Sequence, residues 1–193
     1  MKDRLFGASL VLLTLLLVVS GLQSLEWRPV HDSPLYLYSA QLIDSYGFVP
    51  YRDFFDWQMP VTHLVNLLLI KVFGHGDLAF RCADLLLLAF FLATTVLWMR
   101  HLDPRAALLG AVVFGLNYLR YGQVMSMQRE FLALLPVGLA LVILFSPGRK
   151  TGLAGSVAVG FLFGITAGIK PHIVLGLPLL IAYQLFEVRD RED

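Results

Sequence analysis

The sequence predicts an all-α fold: a polytopic bundle of membrane helices with one long polar loop outside it. Three observations carry that prediction. Apolar residues make up 58% of the 193 positions and charged residues only 15%, and mean hydropathy is +0.72; a soluble domain carries more charge and shorter apolar runs. Apolar stretches recur at 5–24, 78–99, 106–119, 131–146, 152–169 and 171–187. Since a span needs about 20 residues, the shorter stretches are expected to extend into their polar flanks. Between the first two, residues 25–77 collect polar and aromatic side chains in a way no other segment does.

Each element can be justified in turn. Met1-Lys2-Asp3-Arg4 followed by an apolar run resembles a signal peptide in outline, but the run is long and no small-x-small cleavage site follows, so a retained signal anchor is expected. The stretch 60–74 is too short for a comfortable span and contains His63, Asn66 and Lys71. Its crossing or not sets the side of everything downstream. If it does not cross, Lys2, Arg4, Arg100, Arg105, Arg149, Lys150, Arg189 and Arg191 all fall on the cytoplasmic side, as the positive-inside bias requires. If it crosses, three of those basic loops move outside. The sequence therefore predicts about six spans, both termini in the cytoplasm, and 60–74 as an interfacial helix within an outer loop at 25–77.

A second interfacial helix is expected earlier in that loop. Ser33 suits an N-cap, Pro34 the first helical position and Gly47 the C-terminal stop. Leu35, Tyr38, Leu42 and Tyr46 share one face, which suits a helix lying on a membrane surface.

The formal charge of +1 excludes a nucleic-acid partner held by a basic surface. Cys82 is the single cysteine, which excludes an intrachain disulfide or a cysteine metal cage. No Walker loop, GxGxxG or GxSxG motif is present. His31, His63 and His172 have no zinc-ligand spacing.

Candidates for chemistry lie on the outer side. Asp32 precedes the positive N-terminus of a helix, which favours its ionised form, although an aspartate there ordinarily caps. Asp53 and Asp56 flank Phe54-Phe55, ordinarily a solvated turn with the aromatics dipping into the interface. Arg52 suits a phosphate or a lipid headgroup. Glu130 stands beside Arg129 at the outer start of the fourth span, ordinarily as a local ion pair. Lys170 and His172 join the last two spans, where a lysine can neutralise a phosphate. Arg81 and Asp84, three apart within a span, are expected to meet on one helical face as a structural pair.

The order of these motifs resembles the GT-C glycosyltransferases, nearest the protein mannosyltransferase and aminoarabinose transferase branch. The resemblance rests on the acid after the first span, the Tyr-containing surface helix, Gly47-Phe48-Val49-Pro50-Tyr51-Arg52-Asp53-Phe54-Phe55, the Pro60-led helix, Phe80-Arg81 and Gly168-Ile169-Lys170-Pro171. It implies an inverting transfer of a sugar from a polyprenyl-phosphate donor at the outer face of the plasma membrane, among membrane lipids. Asp32 would match the catalytic base, Glu130 an acid that orients the acceptor or helps to bind a divalent cation, and Lys170 a carrier-phosphate contact. Two departures stand out. Ser33 replaces the second acid of an Asp-Glu pair, and Gln58-Met59-Pro60 replaces Lys-Pro-Pro, removing one phosphate contact. Family members run longer, so residues 1–193 are expected to form a single membrane domain matching the N-terminal module, truncated or completed by a C-terminal partner chain. The rival expectation is a non-catalytic scaffold subunit or a small transporter, which would use Arg81 and Asp84 along a path through the bundle.

Overall fold

The computed structural model describes residues 2–145 and 152–182. Among the described residues the fold is all-helical, with a single β-bridge between Pro50 and Phe54. The helices are α1 (Lys2–Gln23), α2 (Ser33–Tyr46), α3 (Pro60–Phe73), α4 (Asp77–Met99), α5 (Pro104–Arg120), α6 (Arg129–Leu144), α7 (Leu153–Ile169) and α8 (Pro171–Ala182), the last opening as a 3-10 segment. Two of them, the helix over Arg4–Glu26 and α4, are long and apolar enough to cross a membrane. The sequence-predicted stretch 171–187 coincides with α8 as far as Ala182; its remainder lies outside the described residues.

Local chemistry sets the boundaries. Asp103 caps α5 by accepting from the amides of Arg105 (2.7 Å) and Ala106 (3.3 Å), and Pro104 fills the first helical position. Gly47, at φ 66°, ends α2 in the left-handed conformation, its amide reaching the Ile43 carbonyl at 3.1 Å and the Phe48 amide the Leu42 carbonyl at 3.3 Å. Pro60 opens α3 after an extended Met59. One boundary differs from expectation: Asp32, not Ser33, occupies the N-cap of α2, and Ser33 is already helical.

Helix α4 is the hub, packing on α5, α6 and α3, while α6 packs on α7, α2 on α3 and α1 on α5. Glycines permit the closest approaches. A Cβ on Gly168 of α7 would lie 2.2 Å from Val61 of α3, and one on Gly115 of α5 would lie 2.9 Å from Leu17 of α1. One core cluster, Phe80, Met127, Leu132, Ala133 and Ile169, sits beneath the end of the bundle where α2, α3 and the α6 N-terminus meet. A second, Leu88, Tyr118, Leu119 and Phe131, binds α4, α5 and α6 together.

Candidate functional site

Asp32 stands at the head of α2, yet its side chain caps nothing. Its backbone is helical, which turns the carboxylate away from the first free amides. The carboxylate instead accepts a hydrogen bond from the Tyr36 hydroxyl, one turn along, at 3.1 Å. His31 Nδ1 lies 3.3 Å from its other oxygen. Tyr36 in turn accepts from Arg129 Nε at 2.9 Å, and the guanidinium also lies over the tyrosine ring, 5.7 Å from its centre. Burial pushes the Tyr36 hydroxyl up to about 12, with Arg129 pulling it down and Asp32 pushing it further up. The phenol therefore stays protonated and passes the arginine's polarising influence to Asp32.

Glu130, next in sequence to Arg129, faces another way and forms an ion pair with Lys170 from the α7–α8 junction. Partial burial and the Arg129 charge pull the Lys170 ammonium below the usual lysine range, and the Asp32 carboxylate works against them. Asp32, Glu130 and Lys170, from three separate regions of the chain, thus belong to one polar cluster joined by Tyr36 and Arg129.

The cluster rests on a buried platform. Arg81 and Asp84 are fully buried and form an ion pair on one face of α4. Arg81 also donates to Ser126 Oγ at 2.9 Å and, through two nitrogens, to Ser24 Oγ at 3.0 and 2.6 Å, and it stacks over Trp27. Asp84 accepts from Tyr118 and from the Met127 amide, the latter at 3.0 Å. The Ser126 carbonyl accepts from Ser33 Oγ at 2.6 Å. The platform therefore holds both the residue after Asp32 and the turn that leads into Arg129 and Glu130. Among the described residues three non-glycines are left-handed: His31, Tyr51 and Met127. Two of them adjoin this cluster, where such conformations persist only when the surroundings enforce them.

The other sequence-predicted residues fall elsewhere. Arg52 pairs with its neighbour Asp53 at 2.8 Å, and that pair and the Val49 amide hold the Asp53 carboxyl down to about 2. Asp56 folds inward, accepting from Ser39 of α2 at 3.1 Å and from the Gln58 amide at 3.0 Å, and lies 3.8 Å from His63 Nε2 of α3. Gln58 is buried, and its backbone carbonyl accepts from Tyr51. His172 is exposed on the first turn of α8. Among the described residues, no hydrogen bond or ion pair links Arg52, Asp53, Asp56, Gln58 or His172 to Asp32.

A divalent cation does not fit this donor set. Among the described residues no three His, Cys, Asp or Glu side chains converge on a common point. Glu130 is engaged by the Lys170 ammonium and Asp32 by Tyr36 and His31.

Sequence reasoning passed over Tyr36 and set Arg129 aside as the partner of Glu130. The signal for Tyr36 was its spacing of four from Asp32, which puts both on one helical face. Adjacent helical residues such as Arg129 and Glu130 point about 100° apart, so mutual pairing was the weaker expectation for them. No family model matches the chain, and neither a curated protein nor a solved structure matches it significantly.

Proposed function

We propose that this chain acts in the transfer of a glycosyl group from a polyprenyl-phosphate donor, at the outer face of a membrane that it spans about six times with both termini inside. The observation that carries this reading is a carboxylate released from capping duty and set in one cluster with two cations, Arg129 and Lys170. Asp32 takes the proton from an acceptor hydroxyl or amine as that group attacks the anomeric carbon. The bond from that carbon to the phosphate oxygen breaks, and the polyprenyl phosphate leaves with the electron pair. Lys170 and Arg129 stabilise the leaving anion, and Glu130 holds Lys170 in place until it arrives. Direct displacement inverts the anomeric centre.

Membrane insertion is supported by α1, which packs on α5 but buries none of its most apolar window. A helix this apolar on every side is at home in lipid. A transporter reading loses its main support, because Arg81 and Asp84 are fully buried and spend their hydrogen bonds on the platform.

The test is sugar transfer from a labelled polyprenyl-phosphate donor in membranes holding the protein, together with binding of polyprenyl phosphate itself. Transfer that is lost on Asp32→Asn, with carrier binding retained, is the expected result. Near-parental transfer by that variant removes Asp32 as the base. Absence of both transfer and carrier binding favours a scaffold subunit.

A further inference from the structure

The segment joining α2 to α3 carries an aromatic surface that the cluster at Asp32 does not use. Phe55 is 91% exposed and Trp57 77% exposed, and Tyr46, Phe48 and Tyr51 are exposed beside them. Large aromatic side chains standing out of a rigid surface mark a contact with something apolar. The segment is rigid by construction. The Tyr51 amide donates to the Phe54 carbonyl at 2.9 Å, the Asp53 amide to the Val49 carbonyl at 2.9 Å, and the Val49 amide to Asp53 Oδ2 at 2.8 Å. Tyr51 closes the base by donating to the Gln58 carbonyl. The rings are therefore held outward before any partner arrives.

The charges around them point to lipid as that partner. Arg52 and Asp53 cancel each other at the tip. Asp56 turns its carboxylate inward to Ser39, the Gln58 amide and His63, away from the exposed rings. The outward surface thus presents aromatic rings and no unpaired charge. Trp and Tyr, with an apolar body and a polar edge, suit the boundary between headgroups and acyl chains. On α2, which leads into this segment, Leu35 and Tyr38 are exposed as well.

We propose that the 46–59 segment is a membrane-inserting wedge that seats Phe55 and Trp57 in the outer leaflet at the headgroup boundary. Its consequence is to fix the height of α2 and α3, and so of Asp32, above the bilayer. The proposal rests on the membrane reading given above but not on the transferase reading.

The test uses the full chain in phosphatidylcholine nanodiscs. On a Cys82→Ser background, single cysteines replace Phe55, Trp57 or, on α1, Leu12, and each is labelled with an environment-sensitive fluorophore. Phe55 and Trp57 are so exposed that their replacement leaves the fold intact. Labels at 55 and 57 should emit to the blue and lose about half or more of their emission to lipids bearing a nitroxide at the headgroup or upper acyl chain. The label at 12 should be quenched by deeper nitroxides. If the label at 12 is quenched while those at 55 and 57 respond only to aqueous iodide, the wedge is overturned and the membrane reading stands. If no label responds to lipid nitroxides, both fall. If the labels at 55 and 57 are shielded from iodide and nitroxide alike, the occupant is a protein and the wedge is again overturned.

Discussion

Ser33 donates a hydrogen bond of 2.6 Å to the carbonyl of Ser126, 93 positions along the chain. Both groups are buried, and the bond ties the head of α2 to the turn that feeds α6. Replacing Ser33 by alanine leaves that carbonyl buried with one partner fewer, which costs about 1–3 kcal/mol. Thermal unfolding in detergent should fall by several degrees, at about 2–4 °C per kcal/mol for a chain of this size. Unchanged unfolding would show that the bond is not made in solution.

Removing Arg81 should be far more damaging. Arg81→Leu strands the Asp84 carboxylate in the interior and frees Ser24 and Ser126 from their donor. Loss of one partner of a buried pair costs about 3–5 kcal/mol. Arg81→Leu combined with Asp84→Leu removes the stranded charge and should recover part of the loss. A double variant no better than the single one would locate the damage in the serine contacts instead.

For the proposed transfer, Asp32→Asn keeps the shape of the side chain and removes its basicity, so the rate should fall at least about a hundredfold in a transfer-competent protein. Tyr36→Phe removes the hydroxyl that links Arg129 to Asp32 and should lower the rate by less, through kcat with little change in KM, since the carboxylate stays but loses the donor that positions it. A Tyr36→Phe variant with a parental kcat would confine Tyr36 to packing.

His63 gives the fold a pH dependence with a defined sign. Burial lowers its imidazole below the usual histidine range, with Asp56 partly opposing. Neutral His63 thus contributes its full stability above the unfolded pKa of about 6.5. As the pH falls below that value the unfolded chain takes up the proton first, and stability declines. Melting temperatures followed from about pH 8 down to about pH 5 should drop more steeply for the parent than for His63→Gln. Parallel slopes would show that His63 titrates alike in both states.

The expected topology is open to direct measurement. Cysteines placed at His101 and at Lys150, on a Cys82→Ser background, should stay unlabelled by an impermeant maleimide added to intact cells. Labelling of either would mean that 60–74 crosses the membrane, reversing the chain from that point.

Much of the helical layout was legible because its punctuation is local. Ser33-Pro34, Gly47 and Pro60 act through their own dihedral preferences, and the helices begin and end at or beside them. Arg81 and Asp84 were legible because a spacing of three fixes a shared helical face. The link between Glu130 and Lys170 spans 40 positions and depends on how α6 meets α7, which no local pattern encodes. The Ser33–Ser126 bond and the left-handed Met127 lay beyond reach for the same reason. The turn before α6 has no periodicity, and its conformation is imposed by Asp84 from another helix. Arg52 and Asp53 show the opposite failure: each has a functional residue's chemistry, and each spends it on its neighbour.

The contact between Val61 and Gly168 has a mechanical meaning. Helix α3 bears on α7 where a side chain is missing, and Lys170 follows two residues later. The far end of α3 is tethered to α2 by Lys71 and Asp44 at 2.6 Å. Val61 is the second residue of α3, so the helix is held at both ends, by Gly168 where it begins and by Asp44 where it finishes. Any side chain at 168 would collide with Val61 and force α3 and α7 apart, and so disturb the place of Lys170 two residues on without touching it.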